Sequence, residues 1–135
     1  IACLKGCWAG AWAPGVQAYR HQVGAAGAPA MAVLVQVLVA PEAAGVAFTA
    51  DPLSGERDRI MVDASWGLGE AVVGGLTTPD RALLAKADGR LLGYEVGRKD
   101  VEVRPHGRGT ETVPVDAARQ AARCLPAEAL ARLRS

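Results

Sequence analysis

The chain has 135 residues, 50% of them hydrophobic and 21% charged, an ordinary globular balance with room for one modest domain or part of a larger one. Its formal net charge is +1, with Lys and Arg spread along its length, so bulk electrostatics argues for neither a nucleic-acid partner nor a membrane surface. Three cysteines, Cys3, Cys7 and Cys124, are too few and too irregular for a disulfide framework.

Leu4, Trp8 and Trp12 recur at i+4, with Cys7 and Ala11 on the same side, which predicts a first helix with one apolar stripe. Pro14 and Gly15 interrupt it. A second helix is expected over 16–22, with Tyr19 as a half-buried anchor and Arg20 as a solvated charge. "GAAGAPA" (24–30) reads as a loop. "MAVLVQVLV" (31–39) is rich in branched residues and reads as a buried strand, with Gln36 its single polar residue. "VAFTADP" (46–52) is a second strand, forming a hairpin with the first around Glu42. A turn over 53–58 leads to a third strand, "RIMVDAS" (59–65). Alternation places Ile60 and Val62 on one face and Met61 and Asp63 on the other.

A short helix over 68–73 follows the glycines at 67 and 69, and Gly74 and Gly75 end it. "RALLAKA" and "LLGYEVG" flank Asp88-Gly89, a hairpin signal. "VEVRP" (101–105) is expected to continue the sheet, and 107–115 to be a loop with a short extended piece. "LPAEALARL" (125–133) is an amphipathic helix with Pro126 in its first turn and Glu128 at its positive end. The sum is an α+β chain with mainly antiparallel strands and flanking helices.

No apolar run reaches the ~20 residues of a membrane span, and the start lacks a basic n-region. The expectation is a chain without a signal peptide, without membrane contact, and cytoplasmic. The first residue is Ile1, not Met, which reads as an interior point of a longer protein or a processed end. Cys3 and Cys7 supply two of the four ligands of a structural zinc, but His21 and His106 lack matching spacing. Reduced, partly buried thiols fit better.

The densest chemistry lies in "DASWGLGEAVVGGLTTPD" (63–80). Asp63 ends a strand and faces a glycine turn, a placement that suits Mg²⁺ held with phosphate oxygens; the alternative is a turn-bonding aspartate. Glu70 opens the helix, and the alternative there is a simple dipole contact. The turn lacks the G-x-x-G of a dinucleotide fingerprint and no Gly-Lys-Ser/Thr follows, though its N–H groups can still meet an anion. Gln36 is either a core amide bonded to backbone or part of an edge that meets a heterocycle.

Together "AVLVQVLV" and "GVAFTADPLSGERDRIMVDASWGLGEAVVGGLTTPDRALL" resemble the ATP-binding domain of phosphoenolpyruvate synthases, pyruvate phosphate dikinases and rifamycin phosphotransferases. "CWAGAWAPGVQAYR" and "VEVRP…CLPAEALARL" resemble the flanking parts of the same domain. The resemblance covers nearly all of 1–135 and implies the C-terminal part of an ATP-grasp-like domain, with nucleotide between two α/β subdomains. It implies backbone of Gln36, Val37 and Leu38 at the adenine edge, Asp63 on Mg²⁺, and Glu70 as the Glu of Gly-Leu-Gly-Glu. ATP and Mg²⁺ are the implied cofactors.

The chain departs from the family pattern at Gly74, where Gln or Ser is usual, at Leu76, where a basic residue is common, and at Val37-Leu38, which replaces a basic-Met pair. The family's phosphate-binding Lys and Arg, its phosphorylated His and its acceptor domain match no part of this sequence. The implied partners are therefore an N-terminal subdomain and a His-bearing domain of the same polypeptide. The implied function is the ATP-binding portion of a dikinase-type phosphotransferase that phosphorylates a His and then pyruvate, or a rifamycin-type hydroxyl. The alternatives are a nucleotide-binding remnant without catalysis and a structural domain whose glycines only make turns.

Overall fold

The computed structural model describes every residue except Leu53, Arg108, Arg134 and Ser135. The expected turn over 53–58 and loop over 107–115 each contain one residue outside the described set. The chain forms two compact units, 1–38 and 39–135.

In the first unit, α1 spans Ala2–Gly10 and α2 spans Pro14–Gln22. Pro14 occupies the first turn of α2, where its missing N–H costs nothing. Ala11 between the helices is buried, and its carbonyl accepts a 2.9 Å bond from Gln17 Nε2. The two tryptophans of the apolar stripe are not buried: Trp8 is 52% and Trp12 62% exposed, and Tyr19 is exposed rather than half-buried. Arg20 donates to the Gly27 carbonyl at 2.9 Å.

The expected strand over 31–39 is absent; the segment has no regular structure, and Val37 is 89% exposed. A strand exists only through a ladder to a neighbour, and among the described residues this segment takes none. Its continuous apolar run signals a need for burial, not a pairing partner. The expected hairpin around Glu42 is absent with it.

The second unit holds a four-stranded antiparallel sheet in the order β1-β2-β3-β4. These strands span Ala43–Phe48, Arg59–Trp66, Asp80–Ala85 and Leu91–Glu95. β1 begins three residues earlier than the sequence suggests and forms one edge. β2 and the β3–β4 hairpin fall where expected, and Asp88 braces the hairpin turn by accepting from the Arg90 N–H at 2.9 Å. Helix α3, Glu70–Val73, bridges β2 to β3 and ends at Gly75 with φ +66°.

One sheet face is the core. Ile60, Val62, Ala82, Leu84 and Tyr94 pack with Leu125 and Leu130. Ala64 and Trp66 continue it against Val115 and Cys124. Burial pushes the Cys124 thiol up to about 12, with the Asp80 charge adding to the effect. Cys3 and Cys7, by contrast, are exposed rather than partly buried.

β5 (Val101–His106) does not extend this sheet. It pairs antiparallel with β6 (Gly109–Pro114) as a separate hairpin. The departure begins at Lys99, whose φ of +44° is left-handed, an uncommon state for a residue with a Cβ. Its ammonium holds it there by donating to the Asp80 carboxylate and to the Gly97 carbonyl.

Helix α4 (Ala117–Ala121) was not anticipated, although Asp116 caps it by accepting from the Arg119 N–H at 3.0 Å. Helix α5 spans Ala127–Arg132 and buries Leu130. Among the described residues no helix is long and apolar enough to cross a membrane.

Candidate functional site

Asp63 does not end its strand as expected: it sits inside β2, paired on both sides and three residues short of Trp66, on the face opposite Val62. The register sets Val46, Asp63, Arg81 and Glu95 in one row across the four strands. Arg81 grips Asp63 with both prongs, Nε to Oδ1 at 2.8 Å and Nη2 to Oδ2 at 3.0 Å. A bidentate guanidinium fixes the carboxylate plane and offsets its charge. Arg81 is also drawn by Glu95 and Asp51. Asp51, Met61, Arg81 and Glu95 border a cavity of about 250 Å³, below the ~300 Å³ at which small-molecule pockets begin.

Among the described residues no cluster of three or more His, Cys, Asp or Glu side chains is placed to hold a metal. Asp63 would therefore act as a single carboxylate. Each of its oxygens accepts one Arg81 N–H and keeps a second acceptor direction. A Mg²⁺ that draws its remaining ligands from phosphate and water fits that donor set.

The glycine turn does structural work. Gly67 has φ +73°, its N–H donates to the Glu42 carbonyl at 2.9 Å, and the Leu68 N–H donates to Val103 at 2.8 Å. These two donors are spent inside the fold and are not offered to an anion. A Cβ on Gly67 would lie 2.4 Å from the Val103 oxygen. Gly67→Ala should therefore cost more than the ~1–2 kcal/mol of the left-handed backbone alone. Urea unfolding checks this, and a loss below about 0.5 kcal/mol would refute the contact.

Glu70 is exposed in α3, and its Oε2 accepts from Thr110 Oγ1 of β6 at 3.4 Å. Asp63 and Glu70 thus take different partners. Gln36, Val37 and Leu38 lie in the first unit and are exposed; Gln36 is not the core amide that one reading allowed.

Two buried carboxylates support this region. Glu102 is 1% exposed and receives both prongs of Arg119, at 2.9 and 3.1 Å, together with Arg104. Burial pushes its carboxyl up, but the two guanidiniums outweigh that and hold it below the usual range. Arg119 also stacks 4.6 Å over the Trp66 ring, while Trp66 Nε1 donates to its carbonyl at 2.9 Å. The second carboxylate, Asp80, is fully buried with Lys99. It accepts from Tyr94 Oη at 2.7 Å and from the Gly97 and Cys124 N–H groups at 2.8 Å each. A Cβ on Gly97 would lie 2.1 Å from the Pro79 oxygen, so only glycine lets that N–H reach Asp80.

Sequence reasoning missed Arg81, Asp80, Lys99, Glu102 and Arg119. The Asp116 cap was the one local signal near Arg119. The rest depend on pairing between distant strands.

Residues 1–135 match the family described as pyruvate phosphate dikinase, AMP/ATP-binding domain. The chain is 41% identical over 98 residues to a phosphoenolpyruvate synthase of Aeropyrum pernix, covering 72% of this chain and 12% of that protein. It is 37% identical over 134 residues to the prodigiosin synthesizing transferase PigC of Serratia marcescens, covering 96% and 15%. It is 35% identical over 134 residues to a rifampicin phosphotransferase of Bacillus subtilis, also covering 96% and 15%. The chain thus spans between 12% and 15% of the length of these relatives. With its whole length matched, the chain belongs to the pyruvate phosphate dikinase AMP/ATP-binding domain family.

Proposed function

We propose that this chain is the ATP-binding portion of a dikinase-type phosphotransferase, in which ATP phosphorylates a His elsewhere in a longer polypeptide. The acceptor favoured is pyruvate, giving phosphoenolpyruvate, with a rifamycin-type hydroxyl as the other candidate; relatives carry both names. The match of residues 1–135 to an AMP/ATP-binding domain carries this reading.

Within an ATP-grasp-like site, Gln36, Val37 and Leu38 offer backbone N–H and C=O groups to the adenine edge. Their lack of ladder partners among the described residues supports this role. Asp63 takes Mg²⁺ on the phosphates, and Arg81 orients the carboxylate. Mg²⁺, when bound, supplies neutralisation of phosphate charge. Arg81 is 42% exposed at its side chain and adds a cation on the same sheet face. Glu70 ties the start of α3 to β6 and so orders the turn.

Triphosphate affinity rests mainly on cationic partners, and the family's Lys and Arg match nothing here. The isolated chain should bind Mg-ATP with a Kd of about 1 mM or weaker, worth about −4 kcal/mol at most. Amide shifts in an NMR titration with Mg-ATP should concentrate at 36–38, Asp63, Glu70 and Arg81. Shifts confined to other residues, or a submicromolar Kd (about −8 kcal/mol or tighter), would sink the reading.

A further inference from the structure

We infer that Cys3 and Cys7 form a two-thiolate site for a soft, two-coordinate monovalent ion of the Cu(I) class. The pair is four residues apart on α1, so the two side chains share a face one turn apart. Both thiols are exposed. Both also line one cavity of about 420 Å³, whose opposite wall is 33–36. The two residues therefore border one shared space.

Spacing decides between a disulfide and a metal bridge. A disulfide needs its Cβ atoms about 3.5–4.5 Å apart. Helical i,i+4 neighbours hold theirs at about 5–6 Å, so a direct S–S bond requires the turn to unwind. Two metal–sulfur bonds of about 2.3 Å each let the sulfurs stand roughly 4.6 Å apart, which the intact helix accommodates.

Ligand number then selects the ion. Structural zinc needs four ligands, and among the described residues no cluster of three or more His, Cys, Asp or Glu is placed to supply them. Two soft thiolates match Cu(I). Binding breaks two S–H bonds, forms two S–Cu bonds and releases two protons, with no change in oxidation state: 2 RSH + Cu⁺ → [Cu(SR)₂]⁻ + 2 H⁺. Cys124 is buried in the other unit, and burial keeps its thiol protonated, so it does not compete.

The test is an oxygen-free titration of the reduced chain with Cu(I) against a chromogenic Cu(I) chelator. One equivalent should be withdrawn from the chelator. Cys3→Ser and Cys7→Ser should each lose that equivalent with unchanged circular dichroism, and Cys124→Ala should keep it. No withdrawal by the wild-type chain, or full withdrawal by either single serine variant, overturns the proposal. Ready closure to a disulfide by oxidised glutathione with the helix signal intact would overturn the spacing argument. No nucleotide enters the assay, so its outcome is independent of the ATP reading.

Discussion

Asp80→Ala should destabilise the fold by about 3–5 kcal/mol, the scale of removing one partner from a buried ion pair. Asp80 and Lys99 are both 0% exposed, so the substitution strands an ammonium in the core. It also orphans the Tyr94 hydroxyl and the Gly97 and Cys124 N–H groups. Lys99→Met should cost less, because three neutral donors still hold the carboxylate. The pH dependence has a definite sign. Burial raises the Asp80 pKa, but Lys99 and the three other donors outweigh it, and the net shift is downward. A depressed carboxyl stabilises above the unfolded-state value of about 3.9, and that contribution is lost as pH falls through the lower folded value. The stability gap between wild type and Asp80→Ala should therefore be full at neutral pH and narrow in acid. Urea unfolding across that range measures it. A gap under about 1 kcal/mol at neutral pH would show that the cluster is not a keystone.

Asp63→Asn, made in the longer polypeptide proposed above, should slow phosphoryl transfer by about 100-fold or more, the scale of losing one strong electrostatic stabiliser. The fold should barely notice. The side chains of Arg81 and Asp63 are 42% and 14% exposed, and pairs near solvent contribute only about 0–1 kcal/mol. This separation of rate from stability distinguishes a metal-binding acid from a strut. Glu70→Gln should cost less, since the contact of Glu70 with Thr110 is long, at 3.4 Å. The readout is ATP-dependent His phosphorylation over a Mg²⁺ titration. An unchanged rate with unchanged Mg²⁺ dependence would leave Asp63 as no more than the partner of Arg81.

Local signals carried much of the architecture. Pro14 marked the break between α1 and α2, although α2 begins at Pro14 itself and not at 16, Asp88-Gly89 marked the β3–β4 turn, and the alternation from Ile60 to Asp63 separated the face of Val62 from the face of Asp63. What was illegible depended on distant pairing. Arg81 reaches Asp63 only because β2 and β3 align those two positions, and the segment between the strands does not announce that register. The same holds for Glu102 with Arg119 and for Asp80 with Lys99. Each looks like an ordinary surface charge until tertiary structure buries it. At Lys99 the local rule fails outright, since left-handed backbone is expected of glycine and here an ion pair enforces it. At 31–39 the run of branched residues predicts a strand, but an apolar run reports what a segment would bury and says nothing of its neighbours.

Among the described residues β1 is an edge strand of the four-stranded sheet, which has a consequence for behaviour in concentrated solution. β1 reads Ala-Ala-Gly-Val-Ala-Phe, without the lysine, proline or inward charge that commonly blocks strand addition. Its outward backbone groups can template a strand from another molecule. A net charge of +1 provides little long-range repulsion to keep molecules apart. A single lysine placed among these six uncharged residues is therefore expected to lower self-association in light scattering of concentrated solutions.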